Sequence, residues 1–192
     1  MTQATTAPST YVRIVRAAIA LTTQDGWAAL TMTRLADDVG VSRQTVYNEV
    51  GTKAGLAQAM VLDELARFLA VVDDGFARNP EDLPGALRAS VRGVLLTAER
   101  NELLRAIVSP GGGGELLPPL TTDAGELLDT AKTVVLERIS AYDVNVDQRT
   151  LLAVVDMLVR TVLGHVMQPS GPPGRTADDL AELTARLLHI PA

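Results

Sequence analysis

Arg43, Gln44, Thr45, Tyr47 and Asn48 lie within six residues of one another and carry guanidinium, carboxamide, hydroxyl and phenol groups. No acid–base or nucleophilic chemistry follows from this set. Its chemistry is hydrogen bonding to phosphate oxygens and base edges. An ordinary solvated helix face mixes Glu with Lys, and this one is rich in neutral donors instead. Ser42 can cap a helix over Arg43–Val50, with Val46 turned inward and the donor set outward. Ahead of it, Thr31 can cap a helix over Met32–Val39, whose Leu35, Ala36 and Val39 share a face. Gly40 stands where that helix must stop, because glycine enters positive φ without steric cost. Two short capped helices joined by a glycine turn form the geometry of a helix-turn-helix, with the donor set on its recognition helix. The same geometry also occurs in helical proteins that never meet DNA. The outward chemistry is what favours nucleic acid.

The catalytic alternatives find little support. There is no cysteine, which excludes disulfides, thiol catalysis and Cys-based zinc sites and is compatible with a reducing cytoplasm. His165 and His189 are the two histidines, and neither has a companion ligand at helical spacing. Pro110 followed by Gly111–Gly114 lacks the Gly-Lys-Ser/Thr ending of a phosphate loop and reads as a loop. No catalytic residue, cofactor or metal site is expected. The absence of an uninterrupted apolar run of about 18 residues argues against a membrane span.

The elements around the helix-turn-helix read as helices throughout. Met1–Ser9 is rich in Thr, Ala and Pro and reads as disordered. Tyr11–Gln24 is the first helix, ended by Gly26, and Trp27 anchors the small core. Thr52 can cap a helix from Lys53 to about Arg78, close to 40 Å long, and Pro80 forbids its continuation. Asp82 caps the next helix, with Pro84 in its first turn. Asn101 caps a short one over Glu102–Ser109. Asp123 opens another that runs to about Tyr142. Asp147 caps Gln148–Met167, which is apolar nearly all round and must be covered on more than one side. A partner subunit is a natural cover. Thr176 with Asp179 has the form of a capping box for the last helix, placing Gln168–Arg175 in a loop. The fold class is all-α, with about nine helices.

The first third of the chain also resembles the DNA-binding headpiece of TetR/AcrR-type transcriptional regulators. The matching positions are Gly26-Trp27, Leu30-Thr31, Leu35-Ala36, Gly40-Val41-Ser42, Thr45-Val46-Tyr47, and Lys53 followed by Leu56. The family spacing of Tyr, Phe and Lys stands here as Tyr47, Val50 and Lys53, with Val in place of Phe. The resemblance divides the chain into residues 1–10, a headpiece at 11–55, and a ligand-binding and dimerisation domain at 56–192. It implies a homodimer paired through the last two helices and bound to a palindromic double-stranded operator in the cytoplasm, on the nucleoid. In that arrangement Thr31, Thr33 and Arg34 approach phosphates. Arg43, Gln44 and Asn48 reach base edges. Ser42, Thr45, Tyr47 and Lys53 hold the DNA backbone.

It further implies an effector pocket between the middle helices, lined by Phe68, Leu95, Leu128 and Met157. Asp156 and Arg160, four residues apart on the most apolar helix, read either as a local ion pair or as a polar anchor in that pocket with Thr161 and His165. Arg105 is a second candidate anchor. Aliphatic walls suit a small apolar or amphipathic effector.

The net charge of −6 sits oddly with DNA. Residues 1–56 nevertheless hold five Lys/Arg against four Asp/Glu, leaving twelve against nineteen for the rest. Phosphate binding needs a local positive face rather than a positive total. The leading reading is a ligand-responsive repressor. The alternative is a helical small-molecule binder or enzyme with a vestigial headpiece.

Overall fold

The computed structural model describes residues 8–108 and 125–190, and they are helical, with nine α-helices among them. The glycine run at 111–114, the Pro118-Pro119 pair and Asp123 lie outside the described residues, as does 1–7. The chain divides into two compact units, each described here by itself.

The first unit takes in 8–63 and 102–108. Helix α1 (Thr10–Asp25) is capped by Ser9, whose hydroxyl accepts from the Val12 amide, so Ser9 and Thr10 belong to ordered structure. Gly26 closes α1 at φ 83°, and its N–H donates to Thr22 O. A single 3₁₀ turn, Trp27–Ala29, buries the tryptophan. Helix α2 (Met32–Val39) follows the Thr31 cap and ends at Gly40, which is left-handed at φ 72°, ψ 41°. The Val41 amide reaches Ala36 O at 3.0 Å and the Gly40 amide reaches Asp37 O at 3.2 Å. This paired closure satisfies the last carbonyls of α2 and turns the chain sharply. Helix α3 (Arg43–Val50) then packs on α1 and α2 through Val46 and Val50, both buried. Ile14, Ala18, Leu35 and Leu56 are fully buried in the same unit. Helix α6 (Glu102–Val108) packs against α1.

Helix α4 (Lys53–Ala77) runs unbroken through the division between the units. Its start is pressed against the end of α3. A Cβ on Gly55 would lie 2.3 Å from Val50 O. This glycine is required by close approach rather than by its φ.

The second unit takes in 64–101 and 125–190. Helix α5 (Leu83–Arg100) has the expected Asp82 cap, whose Oδ1 accepts from the Gly85 amide at 2.8 Å, and a proline in its first turn. α5 is the centre of this unit and packs on α8 (Gln148–Met167) and α9 (Pro173–Leu187). α7 (Gly125–Ile139) packs on α8. Leu87, Val91, Leu95, Ile139, Val155 and Leu158 form the middle of the core. α4 approaches α5 closely at Gly75, where a Cβ would meet Ser90 Oγ at 2.3 Å and Ser90 N at 2.7 Å. The Ser90 hydroxyl donates to Val72 O at 3.1 Å across the same contact. Glu64, buried in α4, accepts from Arg67 at 3.0 Å and from the Asn101 amide at 2.5 Å.

Two boundaries differ from the sequence reading. α7 ends at Ile139, short of Tyr142, whose hydroxyl instead donates to Asn79 O at 2.7 Å. α9 begins at Pro173 and not after Thr176. Proline fits the first helical position because its missing N–H would have no partner there and its φ is preset. The Thr176 side chain is buried in the first turn, and its amide donates to Pro172 O, so it caps nothing.

Candidate nucleic-acid interface

The Ser42 cap fixes where α3 starts and therefore which residues face outward. Its Oγ accepts from the Thr45 amide at 3.0 Å and lies 2.8 Å from Thr45 Oγ1. With Val46 and Val50 buried beneath, Arg43, Gln44, Tyr47 and Asn48 stand exposed. Tyr47 keeps 41% of its surface in solvent. Gln44 Nε2 donates to Asn48 Oδ1 at 2.9 Å. Arg43 has no ion-pair or hydrogen-bond partner among the described residues, so its guanidinium is open to an external acceptor. One exposed helix face thus gathers a guanidinium, two amides and a phenol.

The flanking residues are engaged differently. Thr31 is the α2 cap and accepts from the Arg34 amide at 3.2 Å, while Thr33 is exposed. Arg34 is exposed but ion-paired to Asp25. Its charge is partly spent inside the protein before any phosphate arrives. Lys53 departs furthest from expectation. Its Nζ donates to Trp27 O at 3.0 Å and lies 4.7 Å from the centre of the Trp27 ring. Both contacts draw the ammonium inward, one as a hydrogen bond and one as a cation–π attraction. Arg13, not singled out by sequence, donates to Val39 O at the carboxyl end of α2. A cation there favours the helix dipole. No local periodicity links Asp25 to Arg34 or Trp27 to Lys53, so only the folded chain reveals these pairs.

The residues expected around an effector differ in burial. Leu95 is buried, and Phe68 packs half-buried on the second unit's core. Leu128 is half-buried, with Leu127 taking the inner position. Met157 is 42% exposed and faces out from α8, opposite the buried Val154, Val155 and Leu158. A helix apolar all round carries no sequence signal for which side turns inward.

Arg160, exposed, donates to Asp156 Oδ2 at 2.8 Å, and Lys132 of α7 approaches Asp156 Oδ1 at 3.3 Å. The Arg160 hydrogen bond, reinforced by Lys132, holds the Asp156 carboxyl below its ordinary pKa. Thr161 donates back to Met157 O at 2.7 Å, and His165 Nδ1 lies 3.2 Å from Ser170 Oγ. These polar groups serve α8 and its surroundings, which fits the local ion-pair reading. Arg105 belongs to the first unit and lies 3.8 Å from Glu102 on α6.

By length and composition α8 could cross a membrane, with a mean hydropathy of 1.6. In the protein one side of it packs in the second unit's core, leaving Leu152 and Met157 exposed. Leu183 and Leu187 are likewise exposed on α9.

Comparison with known proteins accounts for both units. Residues 14–60 match the family described as bacterial regulatory proteins, tetR family. Residues 82–186, more than half of the chain, match the bacterial tetracyclin repressor C-terminal domain. The chain is 27% identical over 163 residues to the HTH-type transcriptional regulator AlkX of Mycobacterium tuberculosis, covering 85% of this chain and 77% of that protein. Among solved structures, the TetR family repressor AlkX of Dietzia sp., implicated in biodegradation of n-alkanes, superposes with a TM-score of 0.79 at 28% identity. That match covers 92% of this chain and 96% of the other. The repressor QsdR of R. erythropolis shares the fold, with a TM-score of 0.63 at 17% identity over 95% of this chain and 96% of its own. With an exposed donor face on the capped α3, and with family matches over residues 14–60 and 82–186, the chain belongs to the TetR family of DNA-binding transcriptional regulators.

Proposed function

We propose that this regulator is a repressor that binds a palindromic operator as a homodimer and leaves it when a small aliphatic effector binds. The observation that carries the reading is the face of α3, where an unpaired Arg43 stands beside Gln44, Tyr47 and Asn48 over a buried Val46 and Val50. Arg43 and Gln44 meet base edges in the major groove, with Asn48 bonded to Gln44 beside them. Thr33, Thr45 and Tyr47 hold phosphates, and the Ser42 and Thr31 caps fix the helices that carry them. Arg34 and Lys53 contribute to phosphates only by giving up Asp25 and Trp27, so their share is smaller than that of Arg43.

Residues 11–55 act as the DNA-binding domain, and 56–192 as the effector and dimerisation domain. The homodimer pairs through α8 and α9, whose exposed Leu152, Met157, Leu183 and Leu187 supply the apolar surface that association needs. Phe68, Leu95 and Leu128 form walls for the effector. Their aliphatic company, and a relative implicated in n-alkane biodegradation, support an alkyl-chain compound. Release follows only if the effector binds the operator-incompetent state more tightly than the other. The site of action is cytoplasmic, on nucleoid DNA.

Selection from a random duplex library tests this reading, followed by titration of the winning sequence at two salt concentrations. A palindrome bound by two subunits, with affinity falling steeply as salt rises, supports it. On that operator Arg43→Ala should weaken specific binding by about 1–3 kcal/mol and relax preference at one base pair. No enriched sequence, with or without added long-chain alkanes or fatty acids, would sink it.

A further inference from the structure

The two carboxamides of α3 are tied to each other across one turn, Gln44 Nε2 donating to Asn48 Oδ1 at 2.9 Å on the exposed side. A free glutamine on a helix surface samples several rotamers, and this bond favours one orientation of its amide plane. Gln44 is left with Oε1 as an open acceptor and a second Nε2 hydrogen as an open donor. Acceptor and donor side by side on one planar group complement the major-groove edge of adenine, where N6 donates and N7 accepts. Guanine offers two acceptors there, cytosine a donor, and thymine an acceptor with a methyl group. Gln44 is also the second residue of α3, in the turn of a recognition helix that meets base edges. Arg43 beside it carries a fork of donors suited to guanine, so the two neighbours do not compete for one base.

We propose that Gln44 reads an adenine in each half of the operator, and that Asn48 is the positioning residue that holds the Gln44 amide in its reading orientation. This rests on α3 being the recognition helix. The Asn48 carboxamide acts through Gln44, by accepting the one hydrogen that adenine does not use.

The test is selection from a random duplex DNA library with the full-length chain and with Gln44→Ala, Asn48→Ala and Asn48→Asp. Titration follows on the wild-type operator and on versions altered at the selected A·T pair. The wild type should favour A·T at one position per half-site by roughly five- to 150-fold. Gln44→Ala should erase preference at that position and at no other. Asn48→Ala should reduce preference at the same position without erasing it. Asn48→Asp keeps an acceptor and loses the donor, so it should restore the preference while weakening binding to every sequence through added negative charge. A residue that merely held the helix together would lower all affinities equally and leave the base profile unmoved. An enriched palindrome whose Gln44→Ala profile equals that of the wild type overturns this inference alone. Asn48→Ala losing the preference entirely while Gln44→Ala only reduces it overturns the assignment of roles. Failure of the wild type to enrich any sequence overturns the recognition-helix reading and this inference with it.

Discussion

The outward face of α3 and the outward faces of α8 and α9 are both open to solvent, yet they differ in what they expose. On α3 the exposed groups are polar throughout: a guanidinium, two amides and a phenol, with the Glu49 carboxylate to one side. On α8 and α9 four large apolar side chains, Leu152, Met157, Leu183 and Leu187, stand exposed among charges such as Arg160, Glu182 and Arg186. Water satisfies every group of the first set and not those four side chains. A polar face can therefore wait uncovered until DNA arrives, whereas exposed leucines on neighbouring turns favour a constant cover. On the proposed reading, the difference separates an intermittent partner, DNA, from a standing one, a second copy of the chain.

The sharpest way to break this comparison is to remove what holds the polar face in place. Leu35 is fully buried under the helix-turn-helix. Leu35→Ala should destabilise the first unit by about 2–5 kcal/mol, seen as faster amide exchange in α1–α3 and lost operator binding. Retention of both would mean that α3 is ordered without its core. Next in size is the apolar face. Leu183→Asp combined with Leu187→Asp should cost association about 3 kcal/mol or more, turning a dimer into a monomer in sedimentation while helix content by circular dichroism stays level. A dimer that survives would assign those leucines another cover. Smaller still is the cap. Ser42→Ala should cost about 1 kcal/mol and lower affinity for the operator more than for unrelated DNA, because fraying at the start of α3 loosens Arg43 and Gln44.

The smallest effect contrasts two caps that do the same work with different groups. Ser42 caps α3 with a hydroxyl, and Asp147 caps α8 with a carboxylate that accepts from both the amide and the hydroxyl of Thr150. Those bonds hold the Asp147 carboxyl below its ordinary pKa. A depressed carboxylate contributes stability that is present above the unfolded value of about 3.9 and is lost as pH falls through the folded one. Asp147→Asn should therefore flatten the acid limb of a melting-temperature profile. Ser42→Ala should shift the whole profile without changing its slope. An unchanged acid limb in the Asn variant would remove Asp147 from the account.

Legibility in the sequence followed the same division. Ser42, Thr31, Asp82 and Asp147 were all readable as caps because a cap is a local device, decided within three residues. The α3 donor face followed from the cap and the period. Val50, where the family spacing has Phe, is nonetheless buried. The contacts of Arg34 with Asp25 and of Lys53 with Trp27 are not legible, because those partners stand 9 and 26 residues away in sequence. The exposure of Met157 is not legible either, because an all-round apolar helix does not declare which stripe meets its own core. Thr176 imitated a capping box, and Pro173 started the helix first. Long-range pairing and the choice between two apolar faces are tertiary facts.

The joint between α3 and α4 has a mechanical consequence. Where side chains separate two helices, rotamer changes give the contact some compliance, and one helix can tilt while the other stays still. At Gly55 the backbone of α4 meets the Val50 carbonyl of α3 with no room for even a methyl group. Such a contact has no rotamers to yield. The end of the recognition helix and the first turn of α4 thus touch backbone to backbone, and a displacement of that turn toward α3 meets the Val50 carbonyl directly. Side chains on the face of α3 can be exchanged freely at this joint, whereas any side chain added at Gly55 would push the two helices apart.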